Sequence, residues 1–249
     1  MKKNRFIKLA SGLLVLCLMT TCVIGATLAK YTTAKDTQDS ARVAKWGVRI
    51  TAVANSAFKT EYNKDDNSYK KGAVTVKSSA DDKKVVAPGT SGSAAQISLS
   101  GTPEVAVRLS FALTDVKEVN LTAGAYTNTD GATVTLGSDY YPIKWTLKEN
   151  DTNVTDAVDL TLADMAEFLR GYTVDYAPNT NLSETVPTYT LSWAWAFNVN
   201  ENNDKADSIL GDLAAGVSGI KKGESAINPE HDYSTEVSYK LTITATQID

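Results

Sequence analysis

The chain has 249 residues, of which 43% are hydrophobic and 22% are charged, and its net charge at pH 7 is −4. A chain of this length and composition can bury one large apolar core. Its acidic balance argues against a nucleic-acid-binding protein, because such proteins usually present a basic surface to phosphates.

Residues 1–29 have the layout of a secretory signal peptide. Four basic residues lie within the first eight positions, and positions 9–29 carry no charge. A basic start followed by an apolar run that ends in small residues is typical of a leader removed on export. Two alternatives stay open: the uncharged run is long enough to remain as a membrane anchor, and Cys22 is a candidate for lipid attachment. Cys17 is the only other cysteine, so we expect the exported remainder to have no disulfide.

Residues 30–41 are polar and lack periodicity, which predicts a flexible arm. Beyond the arm, apolar and polar residues alternate with a period of two, the pattern of strands with one buried face. The predicted strands cover 44–52, 105–113, 141–147, 191–197 and 237–243, with weaker candidates at 73–77, 84–87 and 95–99.

Two further strand segments, 125–129 and 132–136, flank Asp130 and Gly131. We expect that dipeptide to supply the positive φ angles of a tight hairpin turn. Trp193 and Trp195 share one face of a predicted strand, which favours a place in the core over an exposed sugar-binding surface.

Two helices are predicted between the strands. The first begins at a capping box, Thr161 to Asp164, and ends at Arg170 with Gly171 as a left-handed cap. The second runs from Asp204 to about Val217. Their predicted buried residues are Leu162, Met165, Phe168 and Leu169 in the first helix, and Ile209, Leu210, Leu213 and Ala214 in the second.

The many amphipathic strands, separated by turn signals, predict an all-β sandwich or barrel with one or two short helices in its connections. We expect residues 42–249 to form a single domain. The stretches 63–69 and 173–187 contain no clear periodicity and are interpreted as long surface loops.

The sequence offers few residues for catalysis. Its one histidine, His231, lies in a predicted turn, and neither a paired-histidine zinc motif nor a Gly-x-Ser-x-Gly elbow occurs. We therefore predict no enzyme, no catalytic residue and no cofactor. The oxygen-rich segment 200–207 offers calcium candidates in Asn200, Asp204 and Asp207, although it lacks the spacing of an EF-hand loop. The alternative is a solvated turn in which Asp204 or a neighbour caps the following helix.

Residues 25–31, Gly-Ala-Thr-Leu-Ala-Lys-Tyr, resemble the junction cleaved by the dedicated signal peptidase (SipW) of the TasA/camelysin family of secreted Gram-positive bacterial proteins. Residues 86–92, Val-Ala-Pro-Gly-Thr-Ser-Gly, resemble the Pro-Gly-Asp segment of that family, with Thr90 in place of the acid. The usual Asn-x-Gly turn is replaced by residues 100–103, Ser-Gly-Thr-Pro. These motifs, with the strand 191–197 and the segment after it, touch about a quarter of the chain.

The resemblance implies a jelly-roll-like antiparallel β-sandwich and a role as an extracellular matrix fibre or cell-surface subunit. Some family members carry a metallopeptidase label, for which this chain offers no zinc ligand set. The partners expected are copies of the chain itself or other matrix and surface proteins, with membrane contact only through the leader before cleavage.

One mechanism for assembly follows from the resemblance together with the hydrogen bonding of strand edges. An exposed strand edge has unpaired backbone groups that a neighbour's extended segment can complete. The predicted donor is the arm released by cleavage, beginning at Lys30, Tyr31, Thr32 and Thr33; the alternative is a disordered tether. A carbohydrate- or host-binding adhesin module is the second functional hypothesis, and a hydrolase is the third.

Overall fold

The structure is a computed structural model that describes residues 41–53, 57–63, 75–80, 82–197 and 199–248. The predicted leader and the predicted assembly residues of the arm lie outside these ranges. The chain divides into two compact units, Met1–Val43 and Ala44–Asp249. Of the first unit only residues 41–43 are described, and all three are exposed. Within the described ranges, no helix is long and apolar enough to cross a membrane.

The described part of the second unit is mostly β-structure with three helices. The helices are α1 (Leu162–Gly171), α2 (Leu182–Thr185) and α3 (Glu201–Ala214). The strands are β1 (Arg49–Val53), β2 (Glu61–Tyr62), β3 (Val76–Lys77), β4 (Ser91–Ser100), β5 (Ala106–Lys117), β6 (Asn120–Leu121), β7 (Gly124–Thr127), β8 (Thr133–Leu136), β9 (Ile143–Glu149), β10 (Thr152–Asn153), β11 (Thr173–Tyr176), β12 (Tyr189–Trp195), β13 (Lys221–Lys222), β14 (Ser225–Ala226), β15 (Tyr233–Ser234) and β16 (Ser238–Ile248).

The strands form several sheets in which the described pairs run antiparallel, so the predicted all-β class is confirmed. The largest sheet has the order β1-β4-β12-β9-β10, and a second has the order β11-β5-β16. Smaller sheets have the orders β14-β13-β7-β8, β15-β6 and β2-β3. Strands that follow each other in the chain are often not adjacent in the two main sheets. For example, β5 pairs with β11 and β16, which come much later in the chain.

The two main sheets contact each other through aromatic side chains. Trp145 of β9 meets Tyr239 of β16 edge to face, with ring centroids 5.3 Å apart. Phe111 of β5 meets Tyr189 of β12 at 5.2 Å. The alternation predicted these buried faces correctly: inward residues of β5, β9 and β12 are less than 9% exposed, namely Val107, Leu109, Phe111, Leu113, Ile143, Trp145, Leu147, Leu191, Trp193 and Trp195.

Helix α1 begins where the capping box predicts. The hydroxyl of Thr161 accepts a hydrogen bond from the backbone N–H of Asp164 at 3.1 Å, and this pairs one N–H that a helix start leaves free. The predicted cap at Gly171 is wrong: Gly171 belongs to the helix, and Tyr172 follows it with extended backbone. Tyr172 instead stacks on Phe168, with ring centroids 5.4 Å apart.

Helix α3 begins one turn earlier than predicted. The side chain of Asn200 accepts a hydrogen bond from Asn203 N–H at 2.9 Å and so caps the helix. Ile209, Leu210 and Leu213 are buried as predicted, but Ala214 is exposed because the helix ends there.

The hairpin around Asp130 forms, with β7 paired to β8, but its turn differs from the prediction. Only Gly131 of the dipeptide has a positive φ, of 86°. The Gly131 N–H donates to the Asn128 carbonyl at 3.0 Å, and Asn128 N–H donates to the Ala132 carbonyl at 2.8 Å. A longer loop with one left-handed glycine therefore replaces the two-residue turn.

Two other stretches differ from their predicted structure. The predicted strand 44–52 is a strand only from Arg49, and Trp46 remains 38% exposed. Gly47 has a positive φ of 56°, which interrupts the extended backbone before β1. The predicted surface loop 173–187 contains β11 and α2, and it buries Tyr176 and Leu182.

Gly92 offers a direct test of how closely β4 packs against Ala57 and Trp193. A Cβ at this position would lie 2.5 Å from the Ala57 carbonyl oxygen and 2.8 Å from Trp193 Nε1. We expect Gly92→Ala to lower the free energy of unfolding by about 1–3 kcal/mol through overpacking. Urea denaturation followed by tryptophan fluorescence measures the change. The matched control is Gly137→Ala, where a Cβ meets nothing within 4 Å; equal losses in both variants would contradict the packing argument.

Candidate functional site

The longest edge strand of the described structure is β16. It is eleven residues long and pairs with β5, from Ser238 opposite Lys117 to Ile248 opposite Ala106, with a register irregularity between Ser238 and Lys240. It pairs with no other described strand. Its inward residues are half-buried, whereas those of the central strand β5 are fully buried. We call this unpaired side of Ser238–Ile248 the β16 edge. It presents a row of backbone donors and acceptors to any extended segment that reaches it.

The opposite edge of the same sheet is shorter and carries an ion pair. Arg108 of β5 donates two hydrogen bonds to the carboxylate of Asp175 of β11, each at 2.7 Å. The guanidinium of Arg108 lowers the pKa of Asp175 below its usual value. Both side chains are about half exposed, so the pair contributes little to stability. Arg108 and Asp175 are directly opposite each other in the pairing of β5 with β11, so the ion pair is a contact between neighbouring strands.

An open cleft of about 980 Å³ lies where the end of β5, helix α1 and residues 229–236 come together. Glu118 forms its floor near α1, where the carboxylate accepts hydrogen bonds from the N–H groups of Leu162 and Ala163. Burial raises the pKa of Glu118, although these two bonds oppose the shift. Carboxylates at a helix start are stabilised by the free N–H groups there, so Glu118 anchors α1 to the end of β5.

Both aromatic and charged side chains line this cleft. Tyr141 and Tyr233 face it, and burial raises the pKa of Tyr141, helped by the negative charges of Asp139 and Glu118. The Lys117 ammonium, which also lines the cleft, forms an ion pair with Glu236 at 3.1 Å. The lining of the cleft thus combines tyrosine side chains with hydrogen-bond donors and hydrogen-bond acceptors.

The wall formed by residues 229–236 is tied to the rest of the protein by Lys222. Its ammonium donates hydrogen bonds to Asp232 Oδ1 at 3.0 Å and to Thr122 Oγ1 at 2.5 Å, and it lies 5.6 Å from the centre of the Tyr126 ring. The second carboxylate oxygen of Asp232 accepts from Asn228 N–H at 2.7 Å. These contacts hold Asn228 and Asp232, the two ends of the turn that leads into residues 229–236.

The predicted calcium candidates all lie at α3, but the structure gives two of their side chains roles within the protein. Asn200 caps the helix. Asp207 Oδ1 accepts hydrogen bonds from Tyr140 Oη at 2.7 Å and Trp195 Nε1 at 3.1 Å. Asp204 lies in the first turn. Over the described residues, no three His, Cys, Asp or Glu side chains are grouped so that they could hold a metal ion.

Asp207 is a partly buried acid, a placement that was not predicted from the sequence. Burial raises its pKa to about 6, opposed by the bonds from Tyr140 and Trp195 and assisted by the charge of Asp204. A signal was present, because Asp207 precedes the buried Leu210 by three residues and so shares a face with it. His231, in contrast, lies exposed in a turn, as predicted.

Comparison with known proteins found no family model that matches the chain. It likewise found no curated protein and no solved structure that matches. The predicted resemblance to the TasA/camelysin family stays a prediction, and the function is argued from the geometry.

The raised pKa of Asp207 predicts that the stability of the protein depends on pH. The folded protein holds a proton on this carboxyl up to about pH 6, whereas the unfolded chain releases it near about pH 4. Protonation in this window favours folding, so the contribution of Asp207 to stability declines as pH rises through it. We expect Asp207→Asn, which keeps an oxygen acceptor without the charge, to gain stability relative to the parent protein as pH rises from about 4 to about 7.

Urea denaturation across this pH range measures the effect. The matched control is Asp207→Ala, which also removes the titrating carboxyl but leaves the donors of Tyr140 and Trp195 unpaired, so it should be about 1–3 kcal/mol less stable than Asp207→Asn at every pH. A difference between Asp207→Asn and the parent that does not vary with pH would show that this carboxyl does not titrate as described.

Proposed function

We propose that this protein is a secreted structural protein of the extracellular matrix or cell surface that assembles with copies of itself through strand pairing. The observation that supports this most is the β16 edge, eleven residues long and unpaired by any described strand. Monomeric proteins usually protect such edges with short strands, prolines or inward-pointing charges. β16 has two further devices of this kind, a register irregularity between Ser238 and Lys240 and the charge of Lys240, but both lie at the start of the strand. From Leu241 to Ile248 the strand has no proline and no charge, and its inward positions carry Leu241, Ile243 and Ala245.

Pairing at an edge of this length gives a directional contact. A donor segment adds backbone hydrogen bonds along the strand, and its alternate side chains reach the half-buried inward face. If the donor comes from a different part of the next copy, the contact is head-to-tail and produces a filament when its rotation does not close. The predicted donor remains the arm that begins at Lys30 and Tyr31, and other matrix or surface proteins are the alternative partners.

The proposal also includes how the two main sheets are arranged. We take the two main sheets to be the layers of a jelly-roll-like sandwich, supported by the ring contacts between them and by the non-sequential strand order. Secretion rests on the layout of residues 1–29. No enzymatic step is proposed.

Deleting residues 30–40 tests the role of the arm. We expect loss of large particles in sedimentation and loss of fibres in electron microscopy, because the donor segment is removed. The matched control replaces the same eleven positions by a glycine-serine segment of equal length, which keeps the tether but removes the β-forming side chains. Fibres that persist in both variants would contradict pairing by the arm.

A substitution on β16 tests the acceptor. Ala245 is half-buried and faces inward, so Ala245→Lys places a charge where natural edge strands use one to prevent pairing. We expect assembly to slow by about tenfold or more, the effect of losing about 1.4 kcal/mol of contact. Thr242→Lys is the control, because Thr242 lies exposed on the outward face. Equal assembly of the two variants would exclude the β16 edge as the acceptor.

A further inference from the structure

The cleft between β5, α1 and residues 229–236 has no part in the proposed assembly, and its chemistry differs from that of the β16 edge. Its volume of about 980 Å³ lies at the upper end of the range for small-molecule sites, and such sites are mostly lined by apolar groups. Here polar side chains dominate, and the aromatic contribution is limited to Tyr141 and Tyr233. A flat, polar, partly hydrated ligand therefore fits better than an apolar one.

The two tyrosines supply the kind of contact that sugar rings use. A tyrosine has an apolar ring face and a hydroxyl that prefers a hydrogen-bond partner. A pyranose is amphipathic in the same way, with C–H groups on its faces and hydroxyls around its rim. Thr114, Asn120 and Thr235 add neutral groups along the cleft, and each of them can both donate and accept a hydrogen bond.

The charges of the cleft select against an anionic ligand. Its lining includes the carboxylates of Asp115, Glu118, Glu230 and Glu236, against two cations. Each cation already has a carboxylate: Lys117 pairs with Glu236, and Arg170 pairs with Glu167. An anion entering the cleft would meet excess negative charge, whereas carboxylates accept hydrogen bonds readily from neutral hydroxyls.

We infer that this cleft is a binding site for a neutral oligosaccharide, held by ring contacts with Tyr141 and Tyr233 and by hydrogen bonds to the polar side chains between them. The inference goes beyond the proposed function and does not depend on it. A glycan site on an assembling subunit attaches the assembly to a polysaccharide surface, and it operates equally well on a single copy.

Isothermal titration of the full chain with chitotetraose and with cellotetraose tests the site. We expect saturable binding of at least one of these neutral tetrasaccharides and none of tetragalacturonate, which has a carboxylate on every ring. Tyr233→Ala should weaken binding by about tenfold, the effect of losing about 1.4 kcal/mol of contact. Tyr233→Phe should retain most of the affinity because it keeps the ring face.

A second variant keeps the test decisive if Tyr233→Ala fails to fold. Ala163 is exposed on α1 and lines the cleft, so Ala163→Gln adds bulk there without adding charge or disturbing the helix. We expect it to weaken binding, while Thr242→Ala on the outward face of β16 leaves binding unchanged. Failure of both neutral glycans to bind, preferential binding of tetragalacturonate, or equal affinity in Ala163→Gln and Thr242→Ala would each overturn the inference. Sedimentation of the same samples reports assembly separately, so either idea can fail alone.

Discussion

The contact between the two main sheets depends on the ring of Tyr239. This residue lies on the edge strand β16, yet its ring meets Trp145 of the central strand β9 at 5.3 Å and Phe58, before β2, at 6.3 Å. Aromatic pairs of this kind contribute beyond the area they bury. Burial raises the pKa of Tyr239 to about 12, which agrees with a ring packed among apolar neighbours. The described residues contain no cysteine, so such packing has to hold the layers together there.

The central strands could be read directly from the sequence, for a physical reason. Strand β12 has a sheet neighbour on each side along nearly its whole length, and β5 and β9 have a second neighbour over part of theirs. With the other main sheet facing them, period-two alternation corresponds closely to burial. The alternation failed at residues 44–48, where Gly47 has a positive φ of 56° and no strand forms before Arg49. It also missed β11, because four residues that include Thr173 and Asp175 carry too little apolar signal. Their position depends on pairing with β5, more than sixty residues earlier.

Helix ends show the same division between local and distant causes. The start of α1 follows from Thr161 and Asp164, which are close in sequence, and it was predicted correctly. Its end was not, because Tyr172 finds a stacking partner in Phe168 and a hydrogen-bond partner in Glu149 of β9. Those tertiary contacts replace the left-handed glycine cap that the sequence favoured.

The candidate site was beyond sequence reasoning because its parts are separated by more than one hundred residues. Glu118 and Tyr233 lie in the same cleft because β15 pairs with β6, which places Tyr233 opposite Leu121, and because β16 then pairs with β5. Neither segment carries a motif. The one histidine, His231, lies within residues 229–236 but does not line the cleft, and the oxygen-rich segment at α3 serves the fold.

The contacts of Lys222 have a consequence for any ligand of the cleft. By holding Asp232, and through it Asn228, this lysine removes much of the freedom that an exposed loop would have. The conformational entropy of that wall is therefore lost when the protein folds and not when a ligand arrives. A preorganised wall lets weak individual contacts accumulate, and it links ligand affinity to a lysine that lies outside the cleft lining.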